Sequence, residues 1–168
     1  MADYLNAPQD EIVFVPNATT GINTVLRNLR FEENEKILYC STIYGACEKT
    51  VSYVCETTKA QSIRVEVEYP LSDDALVESF RDGLRHGKQD GGKVKVAIFD
   101  AIVSLPGMLA PFERLTDICR EEGVLSLIDG AHAIGHVSLD LGKLQPDFFI
   151  GNCHKYVLTP AKSQYQFG

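Results

Sequence analysis

The chain has 168 residues, enough for one domain with a sizeable core; 45% are hydrophobic and 23% charged, the balance of a soluble globular protein. Its net charge of −7 argues against a nucleic-acid surface or an anionic membrane as partner, and no apolar run reaches the roughly 18 residues a membrane-spanning helix needs. Met1-Ala2-Asp3-Tyr4 lacks the basic and apolar regions of a signal peptide, and the expected location is cytoplasmic.

In chain order, Glu11 to Val15 reads as a short strand, and Thr19 to Leu29 as a helix with Ile22, Val25, Leu26 and Leu29 on one face. Lys36 to Cys40 is a second strand. Tyr44 to Thr57 is a helix with Ala46, Val51 and Val54 inward. Ser62 to Val67 alternates like an edge strand. Ser72 opens a helix to about Arg85, with Ala75, Leu76, Phe80 and Leu84 inward and Asp73 and Asp74 in its first turn. His86 to Lys93 is a polar loop, and Val94 to Phe99 an apolar strand. Pro111 opens a helix that Gly123 ends, and Val124 to Ile128 and Asp147 to Ile150 are further buried strands.

Apolar strands alternating with amphipathic helices predict an α/β fold: a mainly parallel sheet between two helical layers. Ligands in such sheets bind beyond the carboxyl ends of the strands. That rule gathers 17–21, 41–44, 100–104, 129–132 and 152–155 at one rim. Neither Gly-x-Gly-x-x-Gly nor a Walker lysine pattern occurs, which removes support for dinucleotide and P-loop readings.

The five cysteines, Cys40, Cys47, Cys55, Cys119 and Cys153, include no Cys-x-x-Cys pair. Neither a disulfide framework nor a metal site is indicated; packing is the expected role, with a reactive Cys153 as the alternative.

Two segments carry the most chemistry. Leu127-Ile128-Asp129-Gly130-Ala131-His132 offers a carboxylate and an imidazole where a buried strand runs out; Gly151-Asn152-Cys153-His154-Lys155 offers an imidazole and an amine in the same situation. A carboxylate that keeps a pyridine nitrogen protonated and a lysine that forms a Schiff base are what pyridoxal phosphate (PLP) requires of a protein. The alternatives are a helix-capping aspartate and a surface lysine. Asn17-Ala18-Thr19-Thr20-Gly21, between a strand and a helix, suits a phosphate as well as an ordinary helix cap. Tyr44 could lay its ring against a planar cofactor, or sit half-buried with its hydroxyl at the surface.

These residues, in this order and with Asp100 to Pro111 between them, resemble the large domain of the class V (cysteine-desulfurase-like) aminotransferases over roughly residues 8–160, especially the isopenicillin-N-epimerase-like and ergothioneine C–S lyase-like branch. The resemblance implies a PLP-dependent transferase of fold type I, in a three-layer α/β/α arrangement. It implies that Thr19 and the backbone of Ala18 and Thr20 hold the cofactor phosphate, with Asn152 and His154 nearby. Tyr44 would stack on the ring, Asp129 would pair with its nitrogen, and His132 and Ser104 would lie near its hydroxyl. Lys155 would carry the cofactor as a Schiff base, making Lys155, Asp129 and His132 the catalytic group. The implied reaction acts on a small amino acid, with C–S bond cleavage foremost, in a homodimer.

The chain departs from the family pattern at Ala101, where relatives often carry histidine, and after Pro160. The expected organisation is therefore a PLP-binding large domain at 1–160, incomplete at its N-terminus, a divergent tail at 161–168, and no C-terminal small domain. A fragment that retains at most PLP binding is the alternative function; an unrelated α/β binding module is a third.

Overall fold

The computed structural model describes residues 1–156. A five-stranded, all-parallel sheet forms its centre, in the order β2-β1-β3-β4-β5. The strands are β1 (Glu35–Cys40), β2 (Gln61–Val65), β3 (Lys93–Asp100), β4 (Leu125–Gly130) and β5 (Phe148–Gly151). The helices are α1 (Ala2–Leu5), α2 (Ala18–Asn28), α3 (Gly45–Thr57), α4 (Asp73–Gly87), α5 (Phe112–Glu122), α6 (Leu141–Leu144) and α7 (Cys153–Tyr156). α2 packs with α3, and α4 packs with α5, so the sheet lies between two helical layers, as the sequence predicts.

Local sequence sets the helix ends. The Asn17 carboxamide accepts the Thr20 N–H at 2.9 Å, and Ser72 Oγ accepts the Ala75 N–H at 3.3 Å, each satisfying a donor that has no partner inside its helix. Gly123, at φ 65°, takes the left-handed conformation that closes α5, and the Val124 N–H returns to the Cys119 carbonyl at 2.8 Å. The apolar face of α4 meets the sheet through Phe80, whose ring packs edge-on against Phe99 with centroids 5.7 Å apart. β3 and β4 are buried almost end to end, which is why their sequences read as continuous apolar runs. β2, the outermost strand beside β1, alternates and keeps Arg64 exposed, as an edge strand should.

Two expectations are corrected. The strand expected from Glu11 to Val15 does not form: Gln9–Glu11 is a 3-10 turn, and Val13 and Phe14 are 79% and 80% exposed. An apolar run becomes a strand only where another strand offers its backbone, and none among the described residues runs beside it. The loop expected at 86–93 is shorter, because α4 continues to Gly87 and a 3-10 turn, Gln89–Gly91, leads directly into β3. The expected change of sequence after Pro160, and the tail at 161–168, lie outside the described residues.

After β1 the chain adds β2 on one side, and it then returns to place β3 on the other. The sheet therefore has a topological switch between β1 and β3, where α/β proteins form ligand crevices. The carboxyl ends of β1, β3, β4 and β5 deliver the candidate residues to one rim.

Candidate active site

Asp129 ends β4 and is 5% exposed. Its Oδ1 accepts the Ala131 N–H at 2.9 Å, and its Oδ2 accepts the Cys47 thiol at 3.7 Å. Burial pushes its pKa up, against the opposing pull of the Ala131 N–H, the Cys47 thiol and the charges of Lys155 and His132. Among the described residues it has no ion-pair partner, so a buried carboxylate stands with one weak donor on Oδ2. That arrangement suits a cationic N–H arriving from the rim.

His132, in the turn after β4, connects two other elements. Lys155 Nζ lies 2.9 Å from His132 Nε2, and Ser104 Oγ lies 3.5 Å from the same nitrogen. Burial, followed by the Lys155 charge, pushes the imidazole pKa down. His132 is therefore neutral near pH 7, and a neutral Nε2 accepts the proton that Lys155 donates. Lys155, on α7, keeps its amine exposed at the rim.

The α2 end of the rim is arranged differently from the simple cradle expected. Asn152, 7% exposed at the exit of β5, accepts the Ala18 N–H at 2.9 Å through Oδ1. Asn17 accepts both the Thr20 N–H, at 2.9 Å, and the Thr20 hydroxyl, at 3.2 Å. Two backbone donors assigned to a phosphate thus have protein acceptors. The half-buried Thr19 keeps its hydroxyl and first-turn N–H without a protein acceptor among the described residues. Asn17 is the helix cap, and Asn152 joins β5 to α2 across 134 residues of sequence.

Tyr44 stands at the N-cap of α3 and is 52% exposed, open to a planar ligand at the rim. His154 is exposed on α7. The structure thus joins His132, Ser104 and Lys155 through His132 Nε2, sets Asp129 within reach of the Lys155 charge, and joins Asn152 to Ala18; Tyr44, Thr19, Thr20 and His154 occupy ends of the same rim. Sequence reasoning missed Cys47. The available signal was its place in the first turn of a helix that starts at the rim, three residues after Tyr44. A recess of about 330 Å³ lined by Thr116, Arg120, Ser126 and Asp147 lies at the opposite end of β4 and holds none of these groups.

The profile of the class V aminotransferases matches residues 1–161. The chain belongs to that family. It is 39% identical over 160 residues to the L-cysteine desulfhydrase-like protein lolT1 of Epichloe uncinata, covering 95% of this chain and 35% of that protein. It is 30% identical over 161 residues to the hercynylcysteine sulfoxide lyase of Schizosaccharomyces pombe, covering 96% and 40%. Among solved structures, the cystine C–S lyase C-DES with its product cysteine persulfide aligns with a TM-score of 0.81 at 22% identity, over 95% of this chain and 42% of that one. That likeness establishes a shared fold, and a mutant of the same lyase carries glycine covalently linked to its PLP cofactor. The chain spans roughly a third to two-fifths of the length of these relatives.

Proposed function

We propose that this chain forms the PLP-binding part of a lyase that cleaves a C–S bond in a small sulfur-containing amino acid. The observation that carries the proposal is the arrangement at the rim: a buried Asp129 with no ion-pair partner among the described residues, and the Lys155 amine held 2.9 Å from a neutral His132. The residues fit the cofactor. Asp129 offers a carboxylate to a ring N–H, and Thr19 offers donors at the start of α2, where the helix dipole favours a phosphate. His154 adds a second group at that end. Tyr44 supplies an aromatic face, and Ser104 and His132 supply polar groups beside the ring hydroxyl. Relatives named cysteine desulfhydrase, hercynylcysteine sulfoxide lyase and isopenicillin N epimerase support the amino-acid substrate class and the C–S lyase reaction.

Bound PLP would supply an electron sink for charge developing at the substrate α-carbon. The chain's own groups do the rest. Asp129 holds a proton at the ring nitrogen, and burial keeps water from competing for it. Lys155 moves a proton at the substrate α-carbon. His132, whose Nε2 lies 2.9 Å from Lys155 Nζ, holds that side chain at the rim for the step. Ser104 orients His132.

The proposed setting is the cytosol and the proposed assembly a homodimer. Exposed Val13, Phe14 and Leu105, the last 85% accessible, support a surface that a partner covers. Among the described residues no helix is long and apolar enough to cross a membrane.

Reductive trapping tests the cofactor site. After incubation with PLP and borohydride, peptide mass spectrometry should place the pyridoxyl group on Lys155, and Lys155→Ala should abolish the labelled peptide. Label spread evenly over the surface lysines would overturn the reading. Labelling at Lys155 without sulfide release from cysteine would match the alternative of a fragment that holds PLP without turnover.

A further inference from the structure

We propose that Asp100 is a positioning residue that carries the proton of a buried carboxyl pair, leaving Asp129 as the pair's single anion. The inference rests on the reading of Asp129 given above for its purpose, and on the apo fold alone for its geometry.

Asp100 ends β3 as Asp129 ends β4, and the two are direct partners in the parallel register. Partners on adjacent parallel strands project from the same face of the sheet, so both carboxyl groups enter the layer between the strand ends and α3. Each residue is 5% exposed. Two ionised carboxylates cannot share so dry a space without a cation, and neither forms an ion pair among the described residues.

The surroundings decide which one keeps the proton. Asp129 accepts the Ala131 N–H and the Cys47 thiol, and lies in the field of Lys155. Asp100 has no such support: its Oδ2 is fully buried and has no hydrogen-bond partner among the described residues. The titratable groups facing Asp100 are Cys40 from β1, Cys47 from α3, Tyr69 from the segment before α4, and Asp129 from β4. None is basic, and each would add negative charge if ionised. Burial, then the Asp129 charge, pushes the Asp100 pKa well above the usual carboxylate range.

The consequence falls on the proposed site. A second anion beside Asp129 would draw a proton onto the pair from whichever side supplied one, and a protonated Asp129 is a poor acceptor for a ring N–H. With the proton parked on Asp100, Asp129 stays charged and meets one cation. The neighbouring acid thus fixes the charge of the site without touching the ligand.

Infrared spectroscopy of the apo chain near neutral pH tests this directly. The carbonyl stretch of a buried, protonated carboxyl should be present in the wild type, absent in Asp100→Asn and retained in Asp129→Asn. Its titration midpoint should fall by at least about one pH unit in Asp129→Asn, a tenfold loss of proton affinity once the neighbouring charge is gone. A band that survives in Asp100→Asn and disappears in Asp129→Asn would put the proton on Asp129 and overturn the proposal. So would a midpoint indifferent to Asp129→Asn. If Asp100→Asn does not fold, carboxyl carbon NMR of the wild type labelled at aspartate gives the answer without a variant: one aspartate should titrate far above the others, and a full set of ordinary titrations would overturn the proposal. All of these readouts are taken without PLP, so failure of the cofactor reading leaves them standing. Trapping at Lys155 in a chain that lacks the protonated-carboxyl signal would sink this inference alone.

Discussion

Replacing Asn152 with alanine removes the acceptor for the Ala18 N–H, a buried donor held at 2.9 Å. Alanine offers nothing in its place, and the site is too closed for water to enter freely, with Ala18 4% and Asn152 7% exposed. The penalty is that of a buried amide left without a partner, about 1–3 kcal/mol. With a urea m-value of about 2 kcal/mol/M, the unfolding midpoint should fall by about 0.5–1.5 M while m itself stays constant. Asn152→Asp separates stability from binding. Its carboxylate still accepts the N–H, and the start of α2 favours a negative charge, so it should retain more stability than alanine does. The same charge repels a phosphate at the Thr19 end of the rim, so PLP affinity should drop further in Asn152→Asp than its stability loss would suggest. Urea melts and PLP titration of both variants are the assays. An alanine variant that melts with the wild type would refute the view that Asn152 ties β5 to α2; an aspartate variant that binds PLP as well as the wild type would refute the placing of a phosphate there.

Burial pushes the thiols of Cys40, Cys47 and Cys119 up to about 12, so a thiol reagent at mildly alkaline pH should label the half-buried Cys55 and Cys153 in the folded chain and all five after unfolding, as read by peptide mass spectrometry. His132 has a lowered pKa in the fold, so the folded chain binds that proton less tightly than the unfolded chain; stability should fall as pH drops through the ordinary imidazole value of about 6.5. His132→Gln should lack that component in urea melts taken on either side of this pH, and an identical pH dependence in both proteins would refute the burial of a neutral imidazole.

Much of the fold was legible because its signals are local. The spacing of Leu76, Phe80 and Leu84 marks a helix face, and the apolar runs of β3 and β4 mark strands covered on both sides. The places of Asp129 and Lys155 were legible for a related reason: Asp129 lies at the end of β4 and Lys155 just past β5, so parallel strands bring both to one end of the sheet. Glu11 to Val15 misled because the strand signal is local while strand formation is not. Its residues have strand propensity, yet no neighbouring backbone arrives to use it.

The part of the site that stayed hidden depends on strand order, which no local pattern encodes. Asp100 and Asp129 are 29 positions apart, and only the choice of β4 as the neighbour of β3 makes them partners. Cys47 reaches Asp129 only because α3 covers the face onto which both aspartates project. Asn152 meets Ala18 because β5 ends beside α2. In each case the residue type was visible and its partner was not. The partner changes the chemistry: an isolated Asp100 would be an ordinary carboxylate, whereas an Asp100 forced beside Asp129 in a dry layer must keep a proton. A parallel sheet that stacks two acidic strand ends therefore sets the charge of its own rim before any ligand arrives.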